Sequence, residues 1–163
     1  MGLMGWVKSL TKGEPDSPAD DASETNRAAP VAEGGAVLAG LNFKTAIDAH
    51  MKWKARLEQC LGNDNDEKLD VDVVSSDNQC LLGKWIHGPG GEHYGHLPQF
   101  QEMKMEHARF HHCAGEVLTH CIAGDKESAS SKLHSGDYPR TSERVKLHLA
   151  RLYVQVKDTS DDA

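Results

Sequence analysis

The chain has 163 residues, of which 38% are hydrophobic and 26% charged, enough for one modest folded domain with tails. Its net charge of −7 argues against nucleic acid as a partner. No apolar run approaches the roughly 20 residues that cross a bilayer, and the first residues lack a typical secretory signal, so we expect a cytoplasmic protein without a transmembrane segment. In that reducing compartment, Cys60, Cys80, Cys113 and Cys121 are expected as thiols or metal ligands rather than disulfides.

Both ends of the chain are predicted to be tails. Residues 1–38 are predicted to be a flexible N-terminal tail, because residues 11 to about 38 are rich in Pro, Asp, Ser, Ala and Gly. Residues 1–10 are more apolar, which fits either a frayed terminus or a short segment that contacts a membrane surface. Residues 158–163 are predicted to be an acidic C-terminal tail. This leaves residues 39–157 as the folded domain.

The first predicted helix follows Asn42, a residue that favours the cap position before a helix, and ends near Gly62. An acidic loop comes next, and Ser75, Ser76 or Asp77 is expected to cap a short helix that carries Cys80. The Gly-rich residues 87–91 are expected to end this short helix. The apolar face of the first helix is formed by residues three or four positions apart: Ala46, His50, Trp53, Leu57 and Leu61.

The longest helical pattern covers residues 97–122, and two further helices are predicted near residues 128–134 and after Pro139. No alternation typical of a strand persists for long. We therefore predict an all-α fold, an antiparallel four-helix bundle with an additional short helix carrying Cys80. The long pattern alternates spacings of three and four along one face: Phe100, Met103, His107, Phe110, Ala114, Val117 and Cys121.

Several potential metal ligands lie within these apolar patterns. His107 and His111 are four residues apart, which brings two rings onto one helix face. A buried imidazole needs partners for its nitrogens, and a metal ion supplies one. His50 interrupts an apolar face in the same way. Each residue alone has a simpler explanation: a hydrogen-bonded core histidine, or for Cys80 a small buried hydrophobe. Together, three imidazoles and one thiol form a full tetrahedral set for zinc.

The order and spacing of three motifs resemble the chemoreceptor zinc-binding domain of bacterial signalling proteins. The motifs are His50 with Trp53, Cys80-Leu-Leu-Gly-Lys-Trp85, and His107-Ala-Arg-Phe-His111. The resemblance extends over about residues 41–156. It implies that His50, Cys80, His107 and His111 bind Zn²⁺ within a four-helix bundle and that the chain forms a homodimer. Domains of this family usually adjoin a chemoreceptor signalling region or a diguanylate cyclase. No segment here is predicted to be such a module, so we expect signalling by contact with a partner protein.

Four protein ligands leave no open coordination position, so we expect a structural or sensing ion rather than a catalytic one, and no enzyme activity. The resemblance implies a response to zinc availability, or to oxidation of the zinc-bound Cys80 by hypochlorous acid. Release of the sulfur from the metal would then rearrange the helix that carries it.

Two other functions remain open at this level. One is an oxygen-binding bundle with two iron ions, similar to hemerythrin, although Asp48, Glu102, Glu106 and Glu116 do not form an obvious paired ligand pattern. The other is an adaptor that zinc merely staples together. The three histidines around the Gly-rich segment also fit either solvent-exposed loop residues or a second, weaker metal site: His87, His93 and His96.

Overall fold

The structure, a computed structural model, describes residues 37–62 and 68–161, without the side chains of residues 159–161. Apart from its last two residues, the predicted N-terminal tail lies outside these ranges. The described residues are mostly helical, which confirms the all-α class, and none of their helices is long and apolar enough to cross a membrane. The helices are α1 (Phe43–Gly62), α2 (Val71–Ser75), α3 (Leu81–Ile86), α4 (Pro89–Tyr94), α5 (Pro98–Ile122), α6 (Lys126–His134) and α7 (Asp137–Asp161).

A two-stranded hairpin precedes α1, in contrast to the expectation of a fold without strands. Strand β1 (Val37–Leu38) pairs antiparallel with β2 (Leu41–Asn42). The turn residues Ala39 and Gly40 both have positive φ angles, +43° and +81°, as the type I′ turn of a two-residue hairpin loop requires. The pairing is too short to produce an alternating pattern in the sequence.

Side-chain caps define where several helices begin. The Asn42 Oδ1 atom accepts a hydrogen bond from the Thr45 N–H at 3.0 Å, as predicted for the start of α1. Asp70 caps α2 and Asp125 caps α6 in the same way, through backbone N–H groups of the first turn. These caps satisfy N–H groups that have no partner inside the helix.

Helices α1, α5, α6 and α7 all contact one another, while α2 packs on α5 and α3 packs on α1 and α4. The arrangement is not the predicted all-antiparallel one. His50 contacts Phe110, and Cys60 near the end of α1 lies beside Cys121 near the end of α5, so these two helices run in the same direction. The start of α5 therefore lies near the start of α1, and Trp85 contacts both Phe43 and Phe100 there. Helix α7 runs opposite to α5. The Phe110 ring contacts Tyr138 near the start of α7, whereas Gln99, near the start of α5, contacts His148, further along α7.

The helix boundaries differ from the predictions at three places. Cys80 does not lie within the short helix but caps it, one residue before α3 begins. The Gly-rich segment ends α3 as expected, yet it also begins α4, because Pro89 suits the first turn of a helix. Helix α7 continues to Asp161, so the predicted C-terminal tail at residues 158–163 begins within a helix.

Cys60 and Cys121 are joined by a disulfide that connects α1 to α5. The expectation that all cysteines are thiols or metal ligands is therefore wrong for this pair. Each cysteine is partly buried against the hydrophobic core, and the parallel packing of α1 and α5 brings the two together. Cys80 and Cys113 are free thiols.

Candidate metal centre

Cys80, His107 and His111 form a group in which one possible ligand atom from each lies within 4.8 Å of the others. The Cys80 Sγ atom is 3.3 Å from the His107 Nε2 atom. Both histidines are fully buried on α5, one turn apart, and the half-buried Cys80 faces them from the start of α3. Zinc bonds of roughly 2.0–2.3 Å to nitrogen and sulfur match ligand atoms at this separation.

The orientation of His111 is fixed by a hydrogen bond to the backbone of α2. Its Nδ1–H group donates to the Val74 carbonyl oxygen at 2.7 Å. The proton is thus on Nδ1, and Nε2 keeps its lone pair. That Nε2 atom is buried and has no hydrogen-bond partner among the described residues. An imidazole held by a carbonyl on one nitrogen and free on the other is the usual arrangement of a metal-binding histidine.

His107 also has a buried nitrogen, Nδ1, without a partner in the described part of the chain. A buried polar atom left without a partner costs about 1–3 kcal/mol, so two such atoms in one small group need a physical reason. For the Nε2 atom of His111, a bound metal ion provides that reason, because the ion replaces the missing hydrogen-bond partner; His107 faces the Cys80 sulfur with its other nitrogen, Nε2. The residues present therefore fit a metal ion.

Burial keeps the imidazoles of this region neutral. It lowers the pKa of His50 to about 4 and that of His107 to about 3, with the neighbouring histidines adding to both shifts. Burial also lowers the pKa of His111. Neutral imidazoles have a lone pair available, so at neutral pH the site is electronically ready for a cation.

Cys80 is held at the N-terminal end of α3. Its Sγ atom accepts a hydrogen bond from the Gly83 N–H at 3.2 Å. Burial raises the pKa of the thiol, and the N–H groups of α3 lower it by a smaller amount. A divalent cation would offset the burial cost, because the thiolate is the form that binds metals.

Gly83 allows the backbone before Cys80 to fold closely over α3. A Cβ atom at this position would lie 1.8 Å from the carbonyl oxygen of Asp77. The preceding segment therefore touches the helix through a spot that only glycine leaves open. Trp85, further along the same motif, donates its indole N–H to the carbonyls of Leu38 and Ala39, which ties α3 to the hairpin.

We expect Gly83→Ala to destabilise the fold by about 2 kcal/mol or more and to weaken zinc binding, because α3 must move away from residue 77. Urea unfolding and a zinc titration measure the two effects. Gly124→Ala is the control: its φ is +78° but its Cβ would meet open space, so it should cost about 1 kcal/mol and leave zinc binding unchanged. Equal effects of the two variants on zinc affinity would contradict the packing argument.

His50 lies beside this group. It is buried, its Nε2 atom is 3.2 Å from the Ser142 hydroxyl oxygen, and its ring centroid is 4.0 Å from that of Phe110. His50 also lines a cavity of about 20 Å³ that Cys80, His107 and His111 line as well, a volume that suits one small ion or water. The structure thus places all four predicted residues around one cavity, with three of them in a compact group. The role of His50 as a ligand stays a prediction.

The three histidines near the Gly-rich segment do not form a metal-binding group within the described ranges. The His87 ring contacts the Asp77 carboxylate at 3.0 Å, and the His93 Nδ1–H group donates to the Pro89 carbonyl oxygen at 2.8 Å. His93 lies on α4, so the expectation of a loop is wrong there. The group formed by Cys80 and the two α5 histidines also contains none of the carboxylates considered for a di-iron site, namely Asp48, Glu102, Glu106 and Glu116.

Some residues that support the site were not predicted from the sequence. Val74 orients His111 from 37 positions away, and Ser142 contacts His50 from 92 positions away. Neither residue belongs to a motif, and the contact of Val74 uses a backbone atom that any residue has. Only the tertiary fold brings them to the site.

The fold and this group define a helical domain with a cysteine–histidine metal site. Residues 50–118 match the family model of the chemoreceptor zinc-binding domain, which confirms the resemblance seen in the sequence over that part of the chain. The match begins at His50 and includes all three motifs. Zinc is the metal of this family, and the Cys80–His107–His111 group lies within the matched residues. No significant match to the chain was found among curated proteins or among solved structures.

Proposed function

We propose that the chain is a zinc-binding sensory domain that passes its metal or oxidation state to a partner protein by contact. The observation that carries the proposal is the buried Nε2 atom of His111, which has no partner among the described residues, on a histidine grouped with His107 and the Cys80 sulfur. The family match names a signalling domain with zinc as its metal. The site lies between α3 and α5, so binding or loss of the ion would change how these helices pack.

We propose His50 as the fourth ligand. It lines the same small cavity as the other three side chains, and burial keeps it neutral. His50 lies on α1, Cys80 at the start of α3 and the other two residues on α5, so a shared ion would connect α1, α3 and α5. Loss of one ligand would then change how three elements pack.

Cys80 is the group through which an oxidant would act. In the proposed step, the thiolate sulfur is oxidised by hypochlorous acid to sulfenic acid, and the chlorine leaves as chloride. The oxidised sulfur is a poorer ligand, and α3, a helix of only six residues, would lose its connection to α5. Zinc availability is the second proposed signal, since metal occupancy alone would stabilise the same contacts.

The donor set favours this proposal over a di-iron oxygen carrier. Iron pairs of that type need bridging carboxylates, whereas the group within the described residues consists of one sulfur and two imidazoles. Glu106, the buried carboxylate closest in sequence, contacts Arg109 and Arg144 instead. A zinc ion that only stabilises the fold, without a sensory role, is the alternative that an experiment must distinguish from this proposal.

The location and partners follow from the family and stay proposals. We propose a non-catalytic cytoplasmic domain that forms a homodimer and contacts a signalling protein of the chemoreceptor or diguanylate cyclase type. The Cys60–Cys121 disulfide is a feature more common in oxidising compartments, so the oxidation state of this pair in cells tests the location.

Treatment of the zinc-loaded chain with about one equivalent of hypochlorous acid is expected to release zinc, because oxidation of the Cys80 sulfur removes a ligand. A chromophoric chelator measures the release, and mass spectrometry locates the modified cysteine. Cys113→Ser is the matched control, since it removes the other free thiol. This variant should release zinc at the same ratio of hypochlorous acid to protein as the parent chain. Retention of zinc after several equivalents would indicate a structural staple.

A further inference from the structure

A second cavity, of about 570 Å³, lies between α5 and α7, on residues outside the metal group. Its volume is within the range of sites for small molecules. Arg109, Arg140 and Arg144 line it, with His112 and the free thiol of Cys113. The chain contains six arginines in total and has a net charge of −7, so three guanidinium groups around one cavity are a marked local concentration of positive charge.

Two of these arginines are held by one buried carboxylate. The Glu106 Oε1 atom accepts hydrogen bonds from Arg109 at 3.0 Å and from Arg144 at 3.4 Å. Glu106 lies on α5 and its side chain is only 11% exposed, whereas Arg144 comes from α7. The carboxylate thus fixes guanidinium groups from both walls of the cavity and reduces the entropy that a ligand would otherwise have to overcome.

The third arginine closes the set from the start of α7. The Arg140 Nη1 atom is 3.2 Å from the Asp137 carboxylate, an exposed contact between residues three positions apart. Such a surface pair is weak and leaves the guanidinium available to a stronger partner. In all three arginines the carboxylate contact uses one nitrogen, while a guanidinium has five N–H donors in a planar fork.

We propose that this cavity binds a small organic anion that carries a phosphate or carboxylate group. Three guanidinium groups against the carboxylates of Glu106 and Asp137 leave an excess of positive charge, and arginine forks match both kinds of oxyanion in pairs of hydrogen bonds. The ligand is of metabolite size, because the cavity, which is open to solvent along its exposed arginines, has a volume of only about 570 Å³. This site is separate from the proposed metal function and does not depend on it.

The test uses the full zinc-loaded chain, with inorganic phosphate and succinate as separate probes in isothermal titration calorimetry. At least one probe is expected to bind saturably. Sodium chloride at equal ionic strength is expected not to displace that probe from the cavity. Arg140→Gln should weaken binding about tenfold or more, since it removes a charged hydrogen-bond donor. Arg140→Lys should recover only part of the affinity, because the charge returns without the fork.

Arg151→Gln is the matched control, an exposed arginine on the same helix that does not line the cavity. A second measurement follows alkylation of Cys113 by maleimide, which bound anion should slow in the parent chain and not in Arg140→Gln. The proposal is overturned by equal losses in the Arg140 and Arg151 variants, by the absence of saturable binding for both probes, or by binding of an acidic peptide only. The difference in affinity between phosphate and succinate shows whether the cavity prefers a phosphate or a carboxylate group.

Discussion

Replacement of Cys80 by alanine is expected to lower the zinc affinity by one or more orders of magnitude. The variant loses the only sulfur in the group and the only ligand that becomes an anion, while His107 and His111 keep their positions on α5. It also loses the N-terminal cap of α3, which should cost on the order of 1 kcal/mol of folding stability. Competition against a chromophoric chelator measures the affinity, and elemental analysis gives the stoichiometry.

The other free thiol provides the control for this experiment. Cys113 lies on α5 only two residues after His111, yet it lines the cavity between α5 and α7 rather than the metal group. Cys113→Ala should therefore bind zinc as the parent chain does. If Cys80→Ala binds one zinc per chain at the parent affinity, the metal site lies elsewhere.

The same titration decides the role of His50. As a ligand, His50→Ala should lose at least tenfold in zinc affinity, and Ser142→Ala should lose less, because the serine only orients the ring. As a core histidine, His50 would contribute through its contacts with Ser142 and Phe110. Both variants would then lose folding stability and keep the parent zinc affinity.

The sequence predicted those parts of the fold that depend on neighbouring residues. The cap at Asn42, the end of α1 at Gly62 and the long face of α5 are all local signals, and the structure confirms them. The group formed by Cys80, His107 and His111 was also predictable, because inward-facing polar residues within an apolar pattern need a partner.

The rest depends on contacts between distant residues. The direction of α1 relative to α5 depends on contacts between residues far apart in the chain, such as His50 with Phe110, and no periodicity encodes them. The disulfide requires Cys60 and Cys121, 61 positions apart, to meet across two parallel helices. The hairpin is only two residues per strand, so its stability comes from contacts such as the Trp85 indole on the turn, not from its own composition.

The metal-free protein is expected to lose stability as the pH falls below about 6.5. Burial lowers the pKa of His50 from 6.5 to about 4 and that of His107 from 6.5 to about 3 in the folded state. The unfolded chain therefore binds more protons between these values, and stability rises with pH across the window and levels off above 6.5. For His50 alone, the free energy of unfolding should change by on the order of 3 kcal/mol over the full window.

Urea unfolding in the presence of a chelator, at several pH values from 7.5 down to 5, measures this effect. Asp77 does not titrate in this range. Burial raises the pKa of its carboxyl group, but the hydrogen bond with His87 and the attraction of the nearby histidines together outweigh burial and hold the pKa below 3.8. His107→Gln should give a shallower dependence on pH, since one titrating group is gone. Added zinc should stabilise the parent chain most at neutral pH, and less in acid where protons compete for the same nitrogens. A stability that stays constant or increases from pH 6.5 to 5 would show that the buried histidines are not kept neutral by the fold.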